Sequence, residues 1–547
     1  MVANPPFSDK RWSNGLVGDP YKRFDGFGMP PDKQGDYAYL LHIVRSLKST
    51  GRAACILPHG VLFRSNAEAE IRKSLVRRGL IEAIIGLPAN LFYGTGIPAC
   101  IIVIDKAGAA ARKGIFMIDA AQGFMKDGPK NRLRERDIHC IVDTFATLDE
   151  SDRRYARMVG LDEIEKNNFN LNLPRYIDSS TPEDQQDIDA HLNGGIPEVD
   201  VLALSRYWAV CPALQVTLFK PRRPGYLDLT PAPSAIKGVI YAHPEFQSFI
   251  QAMNGHFEAW QAPVAKKLKT LAPGFQPKAL IYELAEGLLA HYKHQPTAEK
   301  LIDPYAVFQH LMDYWDATMQ DDAYLIAEDG WIAQPYPVRE TRKNKDGTAG
   351  KTVDKGWACD LVPKALLVRH YFAAEQAELD QLGAELEDAQ AAQTELEEEH
   401  SGEDAVFGGF DKITDKEVKS RIKEIGSDAN AADELPVLKR WLALSEQAGS
   451  LKKRIKTLDA ELDAKALARY ATLTPDEVKT LVVGQKWMVA LDAAVHGELD
   501  RVSQALTGRV NELAERYGRT MPELVKHVED FETRVAEHLA KMGFVWA

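Results

Sequence analysis

Through residues 1–180, short runs of apolar side chains alternate with stretches of helical spacing. Ala53-Ala54-Cys55-Ile56-Leu57-Pro58 predicts a strand closed by His59-Gly60, and residues 80–86, 99–104 and 114–118 predict three more. Residues 69–78 carry the charge and spacing of an exposed helix. Strands apolar on both faces and separated by helices belong to a sheet covered on both sides. The pattern therefore predicts an α/β fold with a mixed parallel sheet.

Beyond residue 180 the rhythm changes. Residues 181–360 are richer in Pro and aromatics, without a clear strand rhythm. The Pro-dense stretch 221–233 reads as an irregular connector, and residues 342–355, heavy in Lys, Gly, Thr and Asn, as an exposed loop. Helices are expected over 245–260, 278–294 and 305–319. Farther on, Trp441, Leu444, Ala448, Leu451, Ile455, Leu458 and Leu462 recur at alternating spacings of three and four, the seam of a coiled coil. Leu379, Leu382, Leu386, Ala389 and Leu396 form an earlier row, interrupted by Gln393 in an acidic context. With the segment 401–434 between them, the rows suit an antiparallel helical hairpin. The seam also suits the helices of a partner, and both readings stand. Thr474-Pro475-Asp476-Glu477 is a helix start, and residues 521–542 predict a last helix with Gly543 placed to end it.

Composition narrows the classes. At 547 residues the chain suits three or four domains. With 45% apolar and 27% charged residues it is neither disordered throughout nor a fibrous repeat. A net charge of −12 excludes a uniformly basic nucleic-acid binder, but residues 1–180 hold 26 basic and 21 acidic side chains. A mildly basic front and an acidic rear suit a polyanion-facing unit joined to something else. Five scattered cysteines, with no C-x-x-C, indicate a reducing compartment and argue against a disulfide scaffold or a zinc site. No apolar run approaches the roughly 18–20 residues of a membrane span, and the first residues lack the pattern of a signal peptide. The expectation is a cytoplasmic protein with no membrane contact.

The sharpest local chemistry is Asn4-Pro5-Pro6-Phe7. An exocyclic adenine amine is a poor nucleophile because its lone pair is delocalised into the ring. Two acceptors that take both N–H hydrogens favour a pyramidal nitrogen and aim its lone pair at an electrophile. The Asn4 side-chain carbonyl and the Pro5 main-chain carbonyl suit that role. Consecutive prolines stiffen the loop and lack N–H groups that would compete for these oxygens. Phe7 offers a face for an extruded base, worth about 1–3 kcal/mol, and extrusion is needed because the nitrogen is inaccessible inside a duplex. The plainer alternative is an Asn-Pro turn followed by an anchoring aromatic.

Further stretches carry a resemblance. They are Gly35-Asp36-Tyr37-Ala38-Tyr39-Leu40-Leu41-His42, Leu57-Pro58-His59-Gly60-Val61-Leu62-Phe63-Arg64 and Ile84-Ile85-Gly86-Leu87-Pro88-Ala89-Asn90-Leu91-Phe92. Gly94-Thr95-Gly96-Ile97-Pro98-Ala99-Cys100 and Asn170-Leu171-Asn172-Leu173-Pro174-Arg175-Tyr176 follow. With Asn4–Phe7, and in this order, they make residues 1–178 similar to the modification subunit of type I restriction–modification systems, the adenine-N6 DNA methyltransferases of the N-P-P-[FYW] group. The resemblance implies a partial Rossmann-like methyltransferase sheet over residues 1–180, a mainly helical middle domain over 181–360 and a helical, coiled-coil docking region over 361–547. It implies S-adenosylmethionine as methyl donor, Asn4, Pro5, Pro6 and Phe7 as the catalytic base pocket, and Asp36, Tyr37, Pro58, His59, Gly94 and Gly96 as substrate-pocket candidates. It also implies DNA, a specificity subunit, a restriction subunit and a second modification subunit as partners.

The chain departs from the family pattern ahead of Asn4, where only Met1, Val2 and Ala3 stand. The family's glycine-rich cofactor turn and its acidic ribose ligand are expected there, so the expectation is a C-terminal part of a modification subunit, inactive alone and weak in cofactor binding. No cofactor residue is named on this basis. His59 reads equally as a structural strand-end histidine, and Gly94-Thr95-Gly96 as a substrate-side loop. Pro475-Asp476-Glu477-Val478-Lys479 is a helix cap rather than a nuclease string. His291 and His294 lack a third ligand, so no metal is expected. Arg72-Lys73, Arg77-Arg78, the cluster from Lys126 to Arg136, and Arg153-Arg154 are candidates for phosphate contact. Two other classes remain open at this point: a methyltransferase acting on RNA or a protein amide, and a non-catalytic assembly chain.

Overall fold

The computed structural model describes residues 1–179, 185–293, 301–343, 349–402, 405–410, 412–426 and 433–544. It divides into two units. The first comprises Met1–His256, Ala285–Asp313 and Val495–Ala547, and the second Phe257–Leu284 and Tyr314–Ala494.

The first unit is built on a six-stranded sheet. In chain order its elements are β1 (Val2–Ala3), α1 (Asp36–Ser46), β2 (Arg52–Pro58), α2 (Ala67–Arg77), β3 (Ile81–Gly86), β4 (Ala99–Asp105) and β5 (Gly114–Asp119). A small hairpin, β6 (Met125–Asp127) and β7 (Lys130–Arg132), then leads to α3 (Glu135–Thr147) and β8 (Ala156–Gly160). The strand order is β1-β2-β4-β3-β5-β8. β1 pairs parallel with β2, and β3 with β5, while β2–β4, β3–β4 and β5–β8 are antiparallel.

Both faces of the sheet are dry, as the apolar runs predict. Side chains of a strand point alternately to opposite faces. Ile115 and Met117 of β5 join the core beneath α1 and α2, with Leu40, Leu41, Leu57, Ile71 and Leu75. Phe116 and Ile118 join the opposite core, with Ile85 and Ile141 of α3. Burying one such side chain contributes about 1.5–3 kcal/mol.

Four readings need correction. β1 is too short to leave a period, and β8 buries only Ala156 and Val159, so neither strand was visible in the pattern. α2 is exposed on one face only, since Ile71, Leu75 and Val76 are buried on the other. Residues 221–233 are not wholly irregular: Phe219–Arg223 and Tyr226–Leu229 form an antiparallel pair around a turn at Gly225. Residues 342–355 fall largely within a second hairpin, Tyr336–Lys343 with Ala349–Ala358; residues 344–348 lie outside the described ones.

In the second unit the two heptad rows meet each other. Helix Ala373–Glu399 packs against Glu434–Tyr470. Trp441 Nε1 donates to Glu397 at 2.6 Å, Arg454 pairs with Glu378 at 2.8 Å and Lys465 with Glu375 at 3.3 Å, a register that runs antiparallel. Trp441, Ala448 and Leu462 are buried on one helix, and Leu382, Ala389 and Leu396 on the other. A third helix, Asp415–Ile425, adds Val418 and Ile425 to the cluster around Trp441. The hairpin reading therefore holds, and the seam's apolar row is taken up within the chain. Leu462→Ala is expected to cost the second unit about 2–4 kcal/mol, measured by denaturant unfolding followed through helical circular dichroism.

Candidate functional site at the carboxyl edge of the sheet

Because β4 runs antiparallel to both β2 and β3, the strands β1, β2, β3 and β5 all point the same way. Their carboxyl ends lie at one edge, where ligands of open α/β sheets collect. Four segments leave the sheet there: Asn4-Pro5-Pro6-Phe7 after β1, His59-Gly60 after β2, Leu87-Pro88-Ala89 after β3 and Ala120-Ala121 after β5.

Asn4 and Pro6 are exposed, while Pro5 and Phe7 are half-buried. The Phe7 ring meets Phe92 edge-on, with centroids 5.5 Å apart. Phe92, from the loop after β3, is a site residue that sequence reasoning did not single out. The four-residue segment thus sits at the surface of the sheet edge, outside the apolar interior.

Asp36 and Tyr37 do not line an open pocket, which corrects the expectation for them. Asp36 is fully buried at the first turn of α1; it accepts the Ser8 N–H at 2.7 Å and pairs with Arg64 at 2.7 Å. The helix N-terminus favours a negative charge there. Tyr37 is 1% exposed, and its hydroxyl donates to the Val61 carbonyl at 2.7 Å. Pro58 is buried at the end of β2.

His59 is half-buried, and its backbone N–H donates to the Pro98 carbonyl at 3.1 Å. Its Nε2 is buried and has no hydrogen-bond partner among the described residues. It faces the end of β3: a Cβ built on Gly86 would lie 3.5 Å from His59 Nε2, 3.5 Å from Asp119 Oδ1 and in collision with Leu173. Glycine at position 86 is what lets these groups approach. Asp119 in turn accepts the Ser179 hydroxyl at 2.6 Å. Burial holds the His59 imidazole below its ordinary value, against the opposing pull of Asp119.

Gly94 and Gly96 are exposed in the loop joining β3 to β4. Asn90 N–H donates to the Gly96 carbonyl at 3.2 Å, and a Cβ on Gly96 would crowd the Asn90 side chain. The β6–β7 hairpin braces this loop: Lys130 donates to the carbonyls of Phe92 and Thr95, and Asn131 to that of Ala89. No helix starts at these glycines, so the loop does not have the strand–turn–helix form of a phosphate cradle.

The basic groups are less available than their sequence positions suggest. Arg72 is 2% exposed and donates to the carbonyls of Phe169, Val61 and Arg64, so it is no phosphate ligand. Arg78 bonds the Gly26 carbonyl, Arg134 pairs with Asp137, and Arg136 with Asp303. Elsewhere, Glu477 caps its helix through Thr474, which holds its carboxyl down at about 2. His291 bonds the His256 carbonyl at 2.7 Å, and His294 lies outside the described residues.

Residues 1–185 match the N-6 DNA Methylase family. The type I restriction enzyme MpnII methylase subunit of Mycoplasma pneumoniae is 35% identical over 205 residues, 36% of this chain and 36% of the relative. The HindI methylase subunit of Haemophilus influenzae is 36% identical over 193 residues, 34% of this chain and 42% of the relative. The chain thus spans between a third and a half of the length of these relatives. A solved type I restriction–modification methyltransferase subunit from Streptococcus thermophilus is 39% identical, covers 32% of this chain and 37% of that one, and superposes with a TM-score of 0.30.

The lowered pKa of His59 gives a signed expectation. The unfolded chain takes up the proton first, at about pH 6.5. The contribution from a neutral His59 is therefore complete above that pH and declines as pH falls towards the lower folded-state value. Between about pH 7.5 and about pH 5.5, the native chain should lose more thermal stability than His59→Gln; equal losses in the two scans would contradict this.

Proposed function

We propose that this chain acts as the modification subunit of a type I restriction–modification system, methylating the N6 of an adenine extruded from DNA. The observation that carries the reading is the position of Asn4-Pro5-Pro6-Phe7: partly exposed, at the sheet's carboxyl edge, within the stretch that matches the N-6 DNA Methylase family. On this reading the Asn4 amide oxygen and the Pro5 carbonyl accept the two amine hydrogens, and Phe7 supports the base from one side. Accepting both hydrogens localises the lone pair on nitrogen, and positioning supplies most of the acceleration.

The family supports S-adenosylmethionine as methyl donor. Among the described residues, the turns after β1, β2, β3 and β5 are Asn-Pro-Pro, His-Gly, Leu-Pro-Ala and Ala-Ala. None is a glycine-rich strand-to-helix turn, so these residues do not fit a cofactor cradle and none is assigned to it.

Partner docking falls to helix Met521–Lys541 rather than to the occupied seam. Met521, Leu524, Val525, Val528, Phe531 and Val535 are between 40% and 55% exposed and recur at helical spacings of three and four, and no residue of this helix is buried. An uncovered stripe of this form suits a helix of another subunit, and on this reading that subunit is the specificity subunit. A restriction subunit and a second modification subunit complete the expected assembly.

Asn4→Ala should lower methyl transfer by about 100-fold or more and Phe7→Ala by about 10- to 100-fold. Both are measured as tritium passed from labelled donor into N6-methyladenine of duplex DNA, using the chain with its co-purifying subunits. Unchanged transfer by Asn4→Ala would remove the basis of the proposal. Val528→Asp combined with Phe531→Asp should abolish co-purification of the partner subunit and leave the melting temperature of the chain unchanged.

A further inference from the structure

We infer that the buried Asp36 and the half-buried Arg64 form a clasp that positions the Asn4–Phe7 loop, an inference that rests on the base-binding reading above. The loop has four residues between two fixed points. On one side Val2 and Ala3 are paired into the sheet, opposite Ala54 and Cys55. On the other, Ser8 adopts a left-handed backbone with φ of 53°, a conformation a residue with a side chain holds only when its surroundings impose it.

The imposing contacts come from two elements distant in sequence. Asp36 Oδ1 accepts the Ser8 N–H at 2.7 Å, and Oδ2 pairs with Arg64 Nη1 at 2.7 Å. Arg64 Nη2 reaches the Ser8 hydroxyl at 3.3 Å, closing a three-membered ring of contacts. The next residue is tied to the same helix: the Asp9 carbonyl accepts the Gly35 N–H at 3.0 Å, and its carboxylate accepts the Tyr39 hydroxyl at 2.7 Å. Arg64 is itself held, because Arg72 donates to its carbonyl at 3.0 Å and Glu68 pairs with its guanidinium at 3.3 Å.

Charge-assisted hydrogen bonds of this kind are short and strongly directional. Both Asp36 oxygens are spent on the residue after Phe7 and on the arginine that also touches that residue. The pair fixes the direction in which the loop leaves the sheet, and with it the aim of the Asn4 and Pro5 acceptors. Neither residue touches the base, so both are positioning residues.

The test uses the full chain with its co-purifying subunits, in Asp36→Asn, Arg64→Met and Arg64→Lys forms. Amide hydrogen exchange at Phe7, Ser8 and Asp9 should rise about tenfold or more in Asp36→Asn, with the later turns of α1 and strand β2 unchanged. Methyl transfer should fall about 100-fold in kcat, with KM for DNA within about threefold. Arg64→Lys should recover part of the loss that Arg64→Met shows. If Asp36→Asn does not fold, the two Arg64 variants, at a partly exposed site, carry the same exchange measurement. Unchanged exchange at residues 7–9, loosening spread equally through α1 and β2, or a loss confined to KM would overturn the clasp. A native chain that passes no methyl to adenine would instead refute the base-modifying reading, and the exchange result would still decide the clasp.

Discussion

The direction in which the strands run constrains everything at the site. β4 pairs antiparallel on both its sides, which obliges β2 and β3 to point the same way, and their parallel neighbours β1 and β5 follow. Both faces of the sheet are filled with Ile, Leu, Val and Phe. A polar group placed on either face would be buried without water, at a cost of roughly 1–3 kcal/mol if unpaired. Chemistry is therefore confined to the strand ends, and the shared direction brings residues 4, 59, 87 and 119 to one edge. Gly86 shows how tight that edge is, since a single methyl group there would collide with Leu173.

That edge explains which parts of the site the sequence revealed. Asn4-Pro5-Pro6-Phe7 is legible because its chemistry is local: two acceptors, two residues without N–H groups and one ring, all within four positions. The strands β2 to β5 are legible because a sheet buried on both sides needs continuous apolar runs. The Asp36–Arg64 contact spans residues distant in the chain, and nothing local marks either partner. Arg72 is the sharper lesson. Placed beside Lys73 on a charged helix, it has the appearance of a surface cation, yet the fold turns it inward onto three carbonyls. Local pattern gives the face of a helix only when the apolar row is wide enough to fix its rotation.

The helical rows show a second limit of the same kind. A heptad seam states that a helix needs a partner and leaves the identity of the partner open. For Glu434–Tyr470 the partner is Ala373–Glu399, joined to it in the same chain through residues 400–433, and that tether keeps its effective concentration high. A tethered helix must be displaced before another can dock, which disfavours the seam as an interface. Met521–Lys541 has a similar apolar row and a capping box at Thr520, yet none of its residues is buried. Capped and apolar along one side, it leaves that row uncovered among the described residues.

The charge distribution connects these points to how DNA would be held. The basic balance of residues 1–180 suggests a polyanion-facing surface, although part of it is committed internally: Arg64 to Asp36, Arg72 to backbone, Arg78 to Gly26, Arg134 to Asp137 and Arg136 to Asp303. Lys10, Arg11, Lys22, Lys33, Lys126, Arg132 and Arg153 are among those that remain exposed, and Arg132 lies 3.8 Å from Asp127. Non-specific DNA affinity grows with the number of phosphates neutralised, and exposed cations of this kind are what would supply it. Base contacts, which carry sequence information, need a surface held in register on the duplex by just such phosphate contacts. Within the proposed function, phosphate contacts of this kind would hold the catalytic edge in register on the duplex, and the exposed helix at residues 521–541 is the means by which another subunit would be held.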